Sequence, residues 1–273
     1  MNTIRVGDLT VNRLGFGAMR VCGPNIWGPP RDRAAAHAVL RKAFELGMNF
    51  FDTADSYGPH VDEELIAEAL HPYPKGLVIA TKGGRLRPRP GAWDPDGRPE
   101  HLKRALDGSL KRLKLERIDL YQLHAPDSKV PFADSVGALA DGQRAGKIRH
   151  IGVSNVSVRQ LEEARRICTI VSVQNEYNLG NRSSENVLEA CEKVGIAFLP
   201  WFPLGAGAAL KLEKVKALAR KHKVAAAQIA LAWLLAKSPA MLPIPGTADL
   251  KHLEDNARAA RLSLSPEEMK ELD

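Results

Sequence analysis

Ile118-Asp-Leu-Tyr-Gln-Leu-His124, Phe132-Ala-Asp-Ser-Val-Gly-Ala-Leu-Ala-Asp-Gly-Gln-Arg-Ala145 and Ile148-Arg-His-Ile-Gly-Val-Ser154 follow one another near the middle of the chain. The first and third are short apolar runs without the strict alternation of a sheet that has one wet face; strands buried on both faces read this way. The segment between them spaces Phe132, Val136, Leu139 and Gln143 as one face of a helix, and Gly146 follows where a left-handed helix end belongs. Strand, helix and strand in that order predict two parallel strands joined by a crossover helix.

The same unit recurs outward in both directions. Further apolar runs at Leu14–Met19, Met48–Thr53, Leu77–Lys82, Ile170–Gln174, Ile196–Trp201 and Ala240–Ile244 bring the strands to eight. Helical patterns at Asp32–Glu45, Glu63–Ala69, Glu100–Leu113, Ser157–Ile167, Ser184–Val194, Lys211–Lys221 and Ala225–Leu235 lie between them, with Ser157 and Ser184 placed as N-caps and Gly47 and Gly195 past helix ends. Eight alternations predict an α/β fold of the (β/α)8 TIM-barrel kind. The alternative is a doubly wound sheet, with a nucleotide fingerprint after its first strand. Gly15-Phe-Gly17-Ala-Met-Arg20 lacks the third glycine and leads into a loop rather than a helix. Before the first run, Ile4–Val6, Gly7-Asp8 and Leu9–Leu14 read as a short N-terminal β-hairpin that covers the bottom of the barrel. No linker or repeat divides residues 1–273, so a single domain is expected.

Composition narrows the function classes. The 273 residues are 44% hydrophobic and 26% charged, the balance of a globular chain. The net charge of +7 raises nucleic acid, but the charges are dispersed apart from Arg85, Arg87 and Arg89, and aromatics at 5% are too few for a base-stacking platform. A small phosphorylated ligand accounts for the bias. Ala225–Ala236 is too short to span a bilayer, and no secretory leader is visible. Cys22, Cys168 and Cys191 lie far apart without CxxC spacing, which argues against disulfides or a metal site and for a reducing cytoplasm.

In a barrel the chemistry gathers at the C-terminal ends of the strands. The second run ends in Asp52-Thr53, the third in Lys82, the fourth in His124, the fifth in Ser154-Asn155, the sixth in Gln174-Asn175 and the seventh in Trp201. Asp, Lys and His are costly at such positions unless they pair or work. Taken singly, Asp52 reads as a turn cap, Lys82 as a loop cation and His124 as a satisfied core histidine. Together they predict a polar site with an Asp–Lys pair and a histidine.

Phe51-Asp52-Thr53-Ala54-Asp55-Ser56-Tyr57-Gly58, Ala80-Thr81-Lys82, Asp119–His124, Gly142–Asn155 and Gln174-Asn-Glu-Tyr-Asn178 together resemble the aldo-keto reductases, and the likeness runs from about Leu14 to Asn256. The resemblance implies a barrel that reduces aldehydes and ketones with NAD(P)H through a catalytic tetrad of Asp52, Tyr57, Lys82 and His124. Tyr57 would protonate the developing alkoxide, and the Lys82 ammonium would lower its pKa. Asp52 would orient Lys82, and His124 would fix the carbonyl oxygen. Asp55 and Asp62 receive no catalytic role; Asp62 reads as a first-turn helix charge.

The same resemblance assigns Ser154, Asn155 and Gln174 to the nicotinamide carboxamide and Trp201 to the face of its ring. It assigns Phe202, Pro203, Leu204, Gly205 and the residues to Gly207 to the pyrophosphate. Gly246, Thr247, His252, Asp255 and Asn256 fall to the adenosine 2′-phosphate of NADP(H). Familiar members carry Arg or Lys and Gln or Arg in this last segment, where Lys251 and His252 stand here. Two long loops, Val21–Arg31 with Trp27 and Gly83–Pro99 with Trp93, are the expected substrate walls, and packing of the loops is the alternative for both tryptophans. The expected function is a cytoplasmic NADPH-dependent reductase of small carbonyl compounds, with no nucleic-acid or membrane partner. A cofactor-binding, redox-sensing regulatory subunit of the same fold is the competing reading, and the lack of an added N-terminal segment favours the enzyme.

Overall fold

The computed structural model describes residues 2–273. Its strands are β1 (Thr3–Val6), β2 (Leu9–Asn12), β3 (Phe16–Gly17), β4 (Phe50–Asp52), β5 (Val78–Gly83), β6 (Arg85–Leu86), β7 (Asp94–Pro95), β8 (Ile118–Leu123), β9 (Ile148–Ser154), β10 (Ile170–Gln174) and β11 (Ala197–Phe198). Its α-helices are α1 (Arg33–Glu45), α2 (Val61–Leu70), α3 (Pro99–Leu113), α4 (Phe132–Arg144), α5 (Val158–Ile167), α6 (Glu185–Val194), α7 (Glu213–His222), α8 (Ala226–Lys237), α9 (Leu250–Arg258) and α10 (Pro266–Leu272). Helix ends carry the expected chemistry: Asp32 caps α1 by accepting from the Ala35 N–H, and Ser157 with Gln160 forms a capping box on α5. Ser184 occupies the N-cap position of α6 without capping it; the Asn175 side-chain amide donates to its hydroxyl instead, at 3.4 Å.

Seven strands form one parallel sheet in the order β11-β10-β9-β8-β5-β4-β3. The eighth position is a bridge rather than a ladder. Phe198 N–H donates to Ala240 O and Leu242 N–H to Phe198 O, at 2.8 and 2.9 Å. On the other side Gly15 N–H donates to Pro243 O and Gly17 N–H to Pro245 O, at 2.9 and 3.3 Å. Pro243 and Pro245 have no N–H to return, so this segment joins both sheet edges and closes the barrel without regular pairing. The approach is tight: a Cβ on Gly246 would stand 2.3 Å from Gly17 O.

Apolar side chains separate into a layer between strands and helices and a smaller cluster inside the barrel. Val6, Leu9 and Val11 of the hairpin β1–β2 join Phe50, Val78, Leu120 and Leu242 in that inner cluster. The hairpin therefore plugs the bottom, which leaves the opposite end open for the polar strand ends. The loop after β5 contains one feature the sequence conceals, the small antiparallel pair of β6 and β7.

Candidate active site

At the open end, β4 delivers Asp52, β5 delivers Lys82, and His124 directly follows β8. Lys82 is fully buried. Its Nζ donates to Asp52 Oδ2 at 2.6 Å, to Thr53 O at 2.9 Å and to Tyr57 Oη at 3.2 Å. The other Asp52 oxygen, Oδ1, accepts from Gln174 Nε2 at 2.8 Å and Gln122 Nε2 at 3.3 Å. The Asp52 carboxylate is thus held on both oxygens, the condition for a buried ion pair to keep one geometry. Gly83 after Lys82 is obligatory for packing, since its Cβ would lie 2.1 Å from Tyr121 Oη.

The electrostatics differ from the simplest expectation. Burial pushes Lys82 down, but Asp52 and then Tyr57 outweigh it, and the net direction is up, so the ammonium persists at neutral pH. Burial raises Tyr57 above the ordinary phenol value against the opposing pull of Lys82. The expected pull of the ammonium is present, but the loss of water around the phenol outweighs it, and Tyr57 retains its proton. His124 is held well below the ordinary histidine value, first by burial and then by the charges of Lys82, Arg85 and Arg87, and is neutral. Its Nδ1 lies 3.3 Å from Ser56 Oγ. The rings of Tyr57, His124 and Trp93 meet edge to face, with centroids 5.8 to 6.4 Å apart.

Asp62 does lie in the first turn of α2, but it is fully buried, accepts from Thr53 Oγ1 at 2.8 Å, and is pushed up to about 7, chiefly by burial. The i, i+3 and i+4 spacing around it turns this face of α2 inward behind Thr53. Glu63 beside it is equally buried but charge-paired, accepting from Arg112 Nε at 2.7 Å.

A cleft of about 450 Å³ runs from this cluster to the closing segment. Tyr57, His124, Trp93 and Arg85 line one end; Ser154, Asn155, Gln174 and Trp201 line its middle. Phe202, Pro203, Leu204, Ala206 and Gly207 continue the wall to Pro245 and Gly246. Gly205 does not line it; its positive φ of 57° turns the chain there. Asn155 is left-handed at φ 60°, which an asparagine tolerates. Its Nδ2 donates to His124 O and Ser154 Oγ, at 2.9 and 3.0 Å, and its Oδ1 accepts from Trp201 Nε1 at 3.1 Å. Ser154 Oγ in turn donates to Gln174 O at 2.7 Å. These groups brace one another and Asp52 while facing the cleft.

Thr247, His252, Asp255 and Asn256 stand beyond the cleft lining, around the start of α9. Thr247 is partly exposed, while Lys251 and His252 are exposed. Asp255 pairs with Arg258 at 3.0 Å, and Asn256 is buried. Sequence reasoning passed over Asp249, whose carboxylate caps α9 by accepting from the His252 N–H at 2.9 Å. The T-x-D pattern before a helix was the available signal. Arg20 on the cleft wall was also missed, since it ends the short turn Ala18–Arg20, and Arg85, at the start of β6, was read only as part of a basic cluster, since local periodicity does not report such short elements. Of the two alternatives for Trp27, the geometry favours packing: it bridges Gly58, its ring centroid lies 5.5 Å from Arg87 Cζ, and it does not line the cleft, whereas Trp93 does.

Residues 13–273 match the Aldo/keto reductase family. The chain belongs to this family. This aldo-keto reductase is 50% identical over 272 residues to an uncharacterized oxidoreductase of Schizosaccharomyces pombe, covering 99% of this chain and 89% of that one. It is 43% identical over 278 residues to pyridoxine 4-dehydrogenase of Escherichia coli, covering 100% and 97%. Among solved structures, a Klebsiella pneumoniae aldo/keto reductase in complex with NADP and acetate superposes with a TM-score of 0.84 at 26% identity, covering 99% of this chain and 94% of that one. The barrel closed by residues 240–245 is the fold of these reductases. Among the described residues, no helix is long and apolar enough to cross a membrane.

Proposed function

We propose that this aldo-keto reductase reduces aldehydes or ketones to alcohols with NADPH, and that Tyr57 is the proton donor. The observation that carries the reading is the contact of one buried Lys82 ammonium with both Asp52 and the Tyr57 hydroxyl, on a cleft wall shared with His124. NADPH, when bound, supplies a hydride to the carbonyl carbon. The cleft suits such a group: it is long, has an indole on its wall, and ends at glycine turns, with amide side chains at its middle.

Ser154, Asn155 and Gln174 would hold the carboxamide through the amide oxygens and hydroxyl that face the cleft. Trp201 would fix the ring face. The chain Phe202–Gly207 would follow the pyrophosphate, and Thr247, Lys251 and His252 the 2′-phosphate. With His124 neutral and Nδ1 accepting from Ser56, Nε2–H donates to the carbonyl oxygen and sets its angle. As charge develops on that oxygen, the Tyr57 hydroxyl gives up its proton, and Lys82 stabilises the phenolate left behind. Asp52 keeps the ammonium charged despite burial. NADP in the Klebsiella neighbour supports the choice of cofactor, and the name of the E. coli relative is the reason to include pyridoxine among the alcohols tested in the reverse direction.

The test is NADPH consumption with a panel of aldehydes and ketones, with wild type beside Tyr57→Phe. The variant keeps the ring and loses only the donor, so turnover should fall roughly 10²–10⁴-fold with cofactor affinity nearly unchanged. Turnover of the variant at more than half the wild-type rate, in single-turnover conditions where chemistry limits, rejects the role. Cofactor binding without reduction of any carbonyl would favour a sensing subunit.

A further inference from the structure

Two guanidinium groups flank Trp93 at the substrate end, Arg85 on the cleft wall and Arg87 behind it, with no carboxylate paired to either. Arg87 is 7% exposed, and its Nε is buried without a hydrogen-bond partner. It donates to the backbone carbonyls of Ser56 and Asn25, at 3.3 and 3.4 Å, and lies between two indoles, with Cζ 3.7 Å from the Trp93 centroid and 5.5 Å from that of Trp27. Arg85 is half-buried, lines the cleft beside Tyr57 and Trp93, and donates from Nη1 to Trp93 O at 2.9 Å. Uncompensated buried cations are expensive. Elsewhere in the same loop the chain follows the ordinary rule: Arg98 pairs with Asp96 at 2.6 Å.

Nothing on the cleft wall neutralises the pair. Asp52 is the only acidic side chain among the described lining residues, and both its oxygens are already taken by Lys82 and the two glutamines. His124 is kept neutral in part by these same arginines. Arg20, the other cation of the wall, stands at the opposite end, with its Cγ against Gly246. The substrate end is therefore an electropositive slot between flat rings, with one guanidinium facing in and a second fixing the tryptophan from outside the cleft.

We propose that Arg85 anchors an oxyanion subsite, so that this enzyme selects carbonyl compounds carrying a carboxylate or comparable oxyanion on a flat frame. Arg87 is a positioning residue: stacked on Trp93 and tied to the Ser56 and Asn25 carbonyls, it holds the aromatic wall at a fixed place relative to Tyr57 and His124. The inference rests on the reductase reading for its reaction, but not for its binding step. The guanidinium offers a fork of donors that a carboxylate meets with two parallel hydrogen bonds, whereas a neutral amide of the same shape cannot replace the charge.

The experiment compares ortho, meta and para formylbenzoate, each against its carboxamide, in wild type, Arg85→Ala, Arg85→Gln and Arg85→Lys. Intrinsic reactivity cancels when the carboxylate-to-carboxamide ratio of kcat/KM is compared between proteins. In the favoured isomer the wild-type ratio should be roughly 10- to 100-fold, the range of a hydrogen bond to a charged group. It should collapse in Arg85→Ala and in Arg85→Gln, which keeps a donor for Trp93 O, and survive in part in Arg85→Lys, which keeps the charge without the fork. The same ratio is read as equilibrium binding by calorimetry in the presence of NADP⁺, where no reduction occurs. A wild-type ratio near unity for every isomer overturns the subsite, as does a ratio retained in both neutral variants. An Arg85-dependent binding preference in a protein that reduces none of these aldehydes leaves the subsite standing, and the reductase reading then falls only if the wider carbonyl panel also goes unreduced.

Discussion

Asp52→Asn removes the charge that offsets the burial of Lys82 while keeping the side chain's size. Lys82 Nζ is 2.6 Å from Asp52 Oδ2, and both side chains are at most 3% exposed. Removing one partner of a buried pair typically costs about 3–5 kcal/mol. The structure also sets a ceiling, because the stranded ammonium has an escape: it folds neutral. For a lysine of ordinary pKa near 10.4, deprotonation at about pH 7.5 costs about 2.9 units, or about 4 kcal/mol. At about pH 9 the same step costs only about 1.4 units, or about 2 kcal/mol. In the variant the folded pKa lies below the unfolded one, so the unfolded state binds more protons and stability rises with pH across this window. Wild type behaves oppositely: Lys82 is raised on folding, so its contribution is full below the unfolded pKa and is lost only as pH passes the folded one. Urea unfolding of both proteins at several pH values between these limits gives the difference directly. It should shrink by about 2 kcal/mol on going from about pH 7.5 to about pH 9, at unchanged m-value. A difference that stays constant over that range refutes the dependence of the Lys82 charge on Asp52.

Trp201→Ala should weaken NADPH binding by on the order of 1 kcal/mol and lower turnover further through misplacement of the ring, while an NADP fragment lacking nicotinamide binds as before. Equal losses for fragment and cofactor would make Trp201 a packing residue only. The preference for NADPH over NADH, measured as a ratio of kcat/KM, should fall in Lys251→Ala and His252→Ala, diminish with added salt, and rise in Asp249→Asn, because the Asp249 carboxylate at the start of α9 opposes a phosphate. A ratio unmoved in all three variants places the phosphate elsewhere. Asp62→Asn should gain on wild type as pH rises from about 4 to about 7 and then level off. A carboxyl raised on folding destabilises once the unfolded state has ionised, here by up to about 4 kcal/mol for a shift from 3.8 to about 7. Thermal unfolding across that range, with a flat difference between the two proteins, would show that Asp62 is ionised in the folded chain.

Local signals were sufficient for the order of the barrel. Buried parallel strands advertise themselves as apolar runs and their covering helices as three- to four-residue periodicity, so the runs ending in Asp52, Lys82 and His124 already stated which side chains would share one end. Gly7 and the alternation of Val6, Leu9 and Val11 likewise announced the hairpin. Side-chain pairing across the barrel is a different kind of information, since it depends on register between segments far apart in sequence. Only the folded chain shows that Gln122 and Gln174 both donate to Asp52, that Asn155 ties His124 to Trp201, and that the phenol of Tyr57 loses more to burial than it gains from Lys82. The same holds for the eighth strand position. The sequence offers an apolar run at Ala240–Ile244, yet Pro243 within it and Pro245 just after it reduce a ladder to a bridge whose partners, Gly15, Gly17 and Phe198, are named only by three-dimensional closure. Loops were least legible, because their paths are set by what they touch: Trp27 is held by a bridge to Gly58 and does not line the cleft, while Arg85, which donates to Trp93 O, does, and neither contact is written in their neighbours along the chain.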